Sequence, residues 1–173
     1  MRQAVALGRI TSQPPAANMV EMKWDEELAV RAQQFLVGQN MASSWGSEGP
    51  SSYYETKPDF IADAISKWFN EEKKFHYGRI TRGTVGHYTQ IVWAETNLVG
   101  CGYAYYLDPV GGYTKNYVCN YGPSGNVQGE LPYEKGYTNC RQYGLTESKS
   151  YTGLCVASTK GQQFEWLHFL NYN

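Results

Sequence analysis

The apolar positions of the chain fall into two helical stripes followed by runs of strand composition. Residues 25–36 carry Leu28, Ala32, Phe35 and Leu36 at i, i+4, i+7 and i+8, one face of an amphipathic helix that Asp25 is placed to cap. Residues 60–75 repeat the pattern with Ile61, Ile65, Trp68 and Phe69, which predicts a second helix. Glu71 falls on its Ala64, Trp68 and Phe75 side and Glu72 on its Ile65, Trp68 and Phe69 side, and spacing does not choose between the two acids. From His87 to Ala94 the residues are β-branched, aromatic or threonine for the most part, which predicts a strand over 87–94 with His87, Thr89, Ile91 and Trp93 on one face. Runs over 99–107 and 113–121 flank Pro109-Val110-Gly111-Gly112 and predict an antiparallel hairpin. A turn centred near Val110 sets Cys101 opposite Cys119, at the roughly 4.5–5.5 Å Cα spacing of opposed residues, which a disulfide accepts.

The rest of the chain is punctuation. Arg2 to Leu7 permits a helical turn or two that Gly8 stops, and Pro14-Pro15 keeps the next loop extended. Residues 46–58 are rich in Gly, Ser and Tyr and read as a loop. After Asn126 come Gly129-Glu130-Leu131-Pro132-Tyr133 and a glycine- and tyrosine-rich stretch from Cys140 to Cys155 with turn chemistry at each end. Phe164 to Leu170 is a short apolar run with no assigned role.

Composition narrows the class. A chain of 173 residues fits one compact domain. The 15 basic and 16 acidic residues include no Lys/Arg run, so no nucleic-acid patch is predicted. Fifteen tyrosines, 18 glycines and four cysteines suit a cross-linked, loop-rich domain of an oxidising compartment. Four cysteines allow three pairings, and the hairpin register favours the one that contains Cys101–Cys119. Four buried thiols and a zinc site are the other readings, and zinc is disfavoured because no CxxC or HxxxH spacing occurs. No segment has the ~20 apolar residues that span a bilayer, and the first residues lack the apolar core of a secretory signal. That conflict is met by the expectation that Met1 is not the natural start.

Gly86-His87-Tyr88-Thr89-Gln90-Ile91-Val92-Trp93 and Cys119-Asn120-Tyr121-Gly122-Pro123-Ser124-Gly125-Asn126 resemble, in order, the two signature motifs of the CAP superfamily of cysteine-rich secretory proteins, antigen 5 and class 1 pathogenesis-related proteins. Gln13 to Met19 and Trp24 to Ala29 resemble its arthropod antigen 5 branch. The resemblance implies an α+β fold, a single three-layer α-β-α sandwich with an antiparallel central sheet. It implies a CAP domain over 1–130, a C-terminal extension over 131–158 stapled by Cys140–Cys155, and a tail of unknown role over 159–173. It also implies a cavity of two histidines and two acidic positions. His87 and Glu71 match two of these places, Gln39 stands at an acidic one, and the segment that carries the other histidine is shorter here.

Such a set can hold a divalent cation, but one imidazole, one carboxylate and an amide make a poor zinc site, so no cofactor is expected. His87 with Glu71 could act as base and orienter of a hydrolase, yet no GxSxG nucleophile is present, and Ser124 reads as part of a tight turn. The expected function is therefore secreted, non-enzymatic recognition by a monomer, in venom, saliva or defence. The partner is a protein target or a small apolar ligand. A sterol or fatty-acid carrier is the second reading and a metal-assisted hydrolase the third.

Overall fold

The structure is a computed structural model that describes residues 1–30, 38–50, 56–78 and 85–157. In chain order it contains α1 (Arg2–Ala6), β1 (Lys23–Trp24), α2 (Glu26–Val30) and β2 (Gly38–Gly46). A helical rod follows, made of a π turn (Ile61–Ile65), α3 (Ser66–Phe69) and a 3-10 turn (Asn70–Lys74). Then come α4 (Gly86–Ile91), β3 (Leu98–Asp108), β4 (Gly112–Gly122), a 3-10 turn (Cys140–Tyr143), β5 (Leu145–Glu147) and β6 (Cys155–Ala157). Four strands make the central sheet in the order β1-β3-β4-β2, with α2 on one face and the rod and α4 on the other. This is the expected α-β-α sandwich, with one correction: β1 runs parallel to β3, so the sheet is mixed.

The hairpin forms as its turn chemistry requires. Asp108 Oδ1 accepts the N–H groups of Val110 and Gly111, and Gly112 takes φ +78°. These two backbone bonds hold the Asp108 carboxyl below its usual range. Cys101 pairs with Cys119 in register and is bonded to it, with Cα atoms 4.1 Å apart. Cys140 is bonded to Cys155. Closures of 18 and 15 residues each stabilise by roughly 3 kcal/mol in the chain-entropy picture. Around Cys155 the extension is stitched to the body of the chain, because its N–H donates to Met19 O and its carbonyl accepts from Glu21.

Three local expectations are corrected. Residues 86–91 form α4 and not a strand, because the 3.6 period puts Tyr88, Ile91 and Val92 together in the core, and a carboxylate from the rod caps the first turn. Gly38–Gly46, unassigned as an element in the sequence, is an edge strand. In the rod Ile61 is exposed, and Ala64, Trp68 and Phe75 are the buried residues, so the core lies on the Glu71 side. Asp25 caps α2 as expected, its Oδ1 accepting Leu28 N–H at 2.8 Å, and residues 31–36 of the predicted helix lie outside the described residues. The predicted tail over 159–173 also lies outside them.

Two glycines allow the layers to meet. A Cβ on Gly100 would sit 2.3 Å from Ala29 N, so α2 rests directly on β3. A Cβ on Gly38 would sit 2.0 Å from Gln90 Oε1, so the start of β2 lies against α4. The core below is aromatic, built from Trp68, Phe75, Tyr88, Tyr117, Tyr121 and Tyr133 with aliphatic neighbours.

Candidate functional site

The site forms where the rod meets the first turn of α4. The opening N–H groups of a helix have no partner within it, and Glu71, carried on the 3-10 turn, supplies one. Its Oε2 accepts the backbone N–H of His87 at 3.0 Å and of Tyr88 at 3.1 Å, while Oε1 lies 2.7 Å from His87 Nδ1. A carboxylate only accepts, so Nδ1 carries a proton and donates it to Glu71. Trp68 stacks on the imidazole with ring centres 5.9 Å apart and fixes itself by donating Nε1–H to Met41 O. The pair is partly open to solvent, with side-chain exposures of 40% for His87 and 21% for Glu71. Glu72 turns elsewhere and accepts from the Ser12 hydroxyl.

Gln39 does not join them. It is opposite Asn120 in the β2–β4 register, on the sheet face that carries α2, and donates Nε2–H to Asn120 Oδ1 at 2.9 Å. Its neighbour Asn40 points to the site instead: buried, it donates to His87 O and to the Tyr121 hydroxyl, both at 3.1 Å. Strand alternation carries this signal, because in any strand through 38–40 residues 39 and 40 face opposite ways. Of the predicted site residues, Glu71 and His87 meet, and the four cysteines pair in the two disulfides.

Thr89 and Gln90 of the first motif bind it to the second. Gln90, buried, accepts from Gly125 N–H and donates to Thr96 Oγ1, which donates to Pro123 O. Asn126, at φ +56°, accepts from Thr89 Oγ1 and donates to Gly86 O. Beneath the far end of α4 lies Arg2, which sequence reasoning missed. Its guanidinium donates to the carbonyls of Val20, Ile91, Trp93 and Ala94, so the helix C-terminus faces a buried cation. Burial pushes Arg2 down to about 9. Burial also raises the Tyr121 phenol, against the bond from Asn40 and the charge of Arg2.

Among the described residues no group of three or more His, Cys, Asp or Glu side chains converges where a metal ion could sit, and no helix is long and apolar enough to cross a membrane. Ser124, exposed, donates its hydroxyl to the adjacent Gly125 carbonyl. An α-β-α sandwich with two motifs laced around one short helix, and a histidine–glutamate pair at that helix's start, defines a class of fold.

Comparison with known proteins gives the class its family. Residues 2–121 match the family described as CAP: Cysteine-rich secretory protein family, and the chain belongs to it. It is 38% identical to salivary antigen-5 of Dipetalogaster maximus, over 88% of this chain and 68% of the relative. It is 37% identical to venom allergen 5 of Polistes fuscatus, over 78% of this chain and 74% of that one. Among solved structures, BmVAL-1 superposes with a TM-score of 0.70 at 25% identity, covering 91% of this chain and 88% of its own. A structure titled NaASP2 with Zn2+ superposes with a TM-score of 0.67 at 29% identity, covering 89% and 88%.

Proposed function

We propose that the protein is secreted and acts by recognition, without catalysis, as a salivary, venom or defence component. The observation that carries this reading is the use of Glu71. Both carboxylate oxygens are engaged in capping α4 and in holding His87, which gives the pair a full structural task. The relatives named for saliva and venom support the extracellular setting.

The described residues do not fit a zinc ion of the kind named for NaASP2. A structural zinc site takes four ligands and a catalytic one three with water. Here His87 offers one free ring nitrogen, Glu71 is committed to three hydrogen bonds, and Gln39 faces the other side of the sheet. No reaction step is assigned to a metal.

A carrier of sterol or fatty acid is the second reading, favoured by the sheet face that holds α2. There Met41, Trp45 and Tyr106 are exposed, and Trp45 and Tyr106 both lie opposite Thr114. One preparation separates the readings. With ester and peptide substrates we expect no turnover that distinguishes the protein from its His87→Ala variant. With a fluorescent sterol or fatty acid, saturable binding of micromolar affinity, about −8 kcal/mol, that falls in Trp45→Ser would establish the carrier. Absence of binding leaves recognition of a protein partner. Turnover abolished by His87→Ala would overturn the non-enzymatic reading.

A further inference from the structure

The face of the sheet that carries the core continues past the end of the rod toward the hairpin turn, and there it forms a recess of about 290 Å³. Strand register places Tyr105 opposite Lys115, Lys115 opposite Ser44, and Tyr113 two residues from Lys115 on the same face. The Tyr105 and Tyr113 rings lie nearly parallel, with centres 6.2 Å apart at 17°. The backbone at Gly49 holds Tyr113 in place: a Cβ there would come within 3.1 Å of its Cζ and Oη. Asp63 enters from the π turn and Glu48 from the loop after β2.

The charges in this recess are ordered. The Tyr117 hydroxyl donates to Asp63 Oδ2, and Lys115 Nζ stands 3.8 Å from the same oxygen. Asp63 and Lys115 therefore balance each other on one wall, while Glu48 on the other is exposed. Among the described lining residues, two carboxylates against one ammonium leave a net charge of −1 beside two tyrosine rings. Aromatic faces carry a negative quadrupole that attracts a cation, and a carboxylate nearby adds to that attraction. A hard dication has too few oxygens here, since no three acidic side chains converge among the described residues.

We propose that this recess binds a small organic ammonium ion, its cationic head against Tyr105, Tyr113 and Glu48, with the Lys115–Asp63 pair as the far wall. The site is separate from the His87–Glu71 pair and does not depend on the function proposed above.

The test is calorimetric titration of the full chain with choline, beside 3,3-dimethylbutan-1-ol, its uncharged carbon isostere. We expect saturable choline binding at about 1 mM or tighter, with the isostere bound at least about tenfold more weakly because it lacks the charge. Glu48→Gln, an exposed change that leaves the melting temperature in place, should weaken choline about fivefold, and Tyr105→Leu about tenfold. Lys115→Met should strengthen it by removing a like charge. Sedimentation with phosphatidylcholine vesicles distinguishes the source: co-sedimentation competed by choline marks a lipid headgroup, and choline binding without it marks a free ligand. No saturable choline binding at about 20 mM, equal binding of the isostere, or an affinity unmoved by Glu48→Gln would each overturn the proposal.

Discussion

Replacing Arg2 with methionine should lower the unfolding free energy by about 3–5 kcal/mol, more than any other single change outside the cysteines. The guanidinium is buried, and its N–H groups reach four backbone carbonyls that come together from the loop at Val20 and the end of α4. Methionine matches the aliphatic stem but donates nothing, so the carbonyls of Val20 and Ile91 lose their donor inside the core, at roughly 1–3 kcal/mol each, while Trp93 O keeps the N–H of Thr96 and Ala94 O keeps that of Val20. Arg2→Lys should recover only part of the loss, because an ammonium has three donors and no planar fork. The folded value of about 9 lies well below that of an ordinary arginine. The unfolded chain thus holds the extra proton only between those two values, and there this group's contribution to stability rises with pH. Both states are protonated at neutrality, so the loss in Arg2→Met should be flat across about pH 5 to 8. Urea unfolding of the two variants beside Arg141→Met, an exposed control, measures it. A loss below about 1 kcal/mol would remove Arg2 from the account.

The second large effect is expected at Glu71. Alanine there leaves the N–H groups of His87 and Tyr88 without their acceptor and releases the His87 ring, a loss of about 2–3 kcal/mol. Glutamine keeps one acceptor oxygen and should cost about 1 kcal/mol, since a neutral amide bonds more weakly than a carboxylate. A double-mutant cycle with His87→Ala isolates the side-chain pair, with an expected coupling of about 1 kcal/mol. The two backbone bonds to Glu71 remain in His87→Ala, so most of the Glu71 effect should persist in that background. Glu71→Ala variants as stable as the parent would mean that the carboxylate is held there for another purpose.

What the sequence made legible was decided by how local each determinant is. The hairpin over β3 and β4 was readable because Asp108 to Gly112 encodes its own turn and the cysteines fix the register. The rod was readable as a helix, but its apolar stripe pointed to the Glu72 side, and the family resemblance supplied the choice of Glu71. Residues 86–91 misled because β-branched and aromatic residues carry strand propensity, which here is overridden by a cap arriving from 16 residues earlier in the chain. β2 was missed for the opposite reason: its inward positions Asn40, Ala42 and Ser44 are small or polar, so the alternation has no hydropathic amplitude. Gln39 and Asn40 exchanged roles on that same alternation. Arg2 had no signal, since a single arginine near a chain start reads as solvated until the carbonyls around it are known.

We propose that the pair at the start of α4 serves the fold and the surface it presents, and holds neither a metal nor a reaction. Calorimetry of zinc into the full chain at neutral pH, run beside His87→Ala, tests this most directly. The account predicts no tight saturable site in either protein, with His87→Ala showing its effect in thermal unfolding instead. Submicromolar zinc binding that disappears in His87→Ala would contradict it.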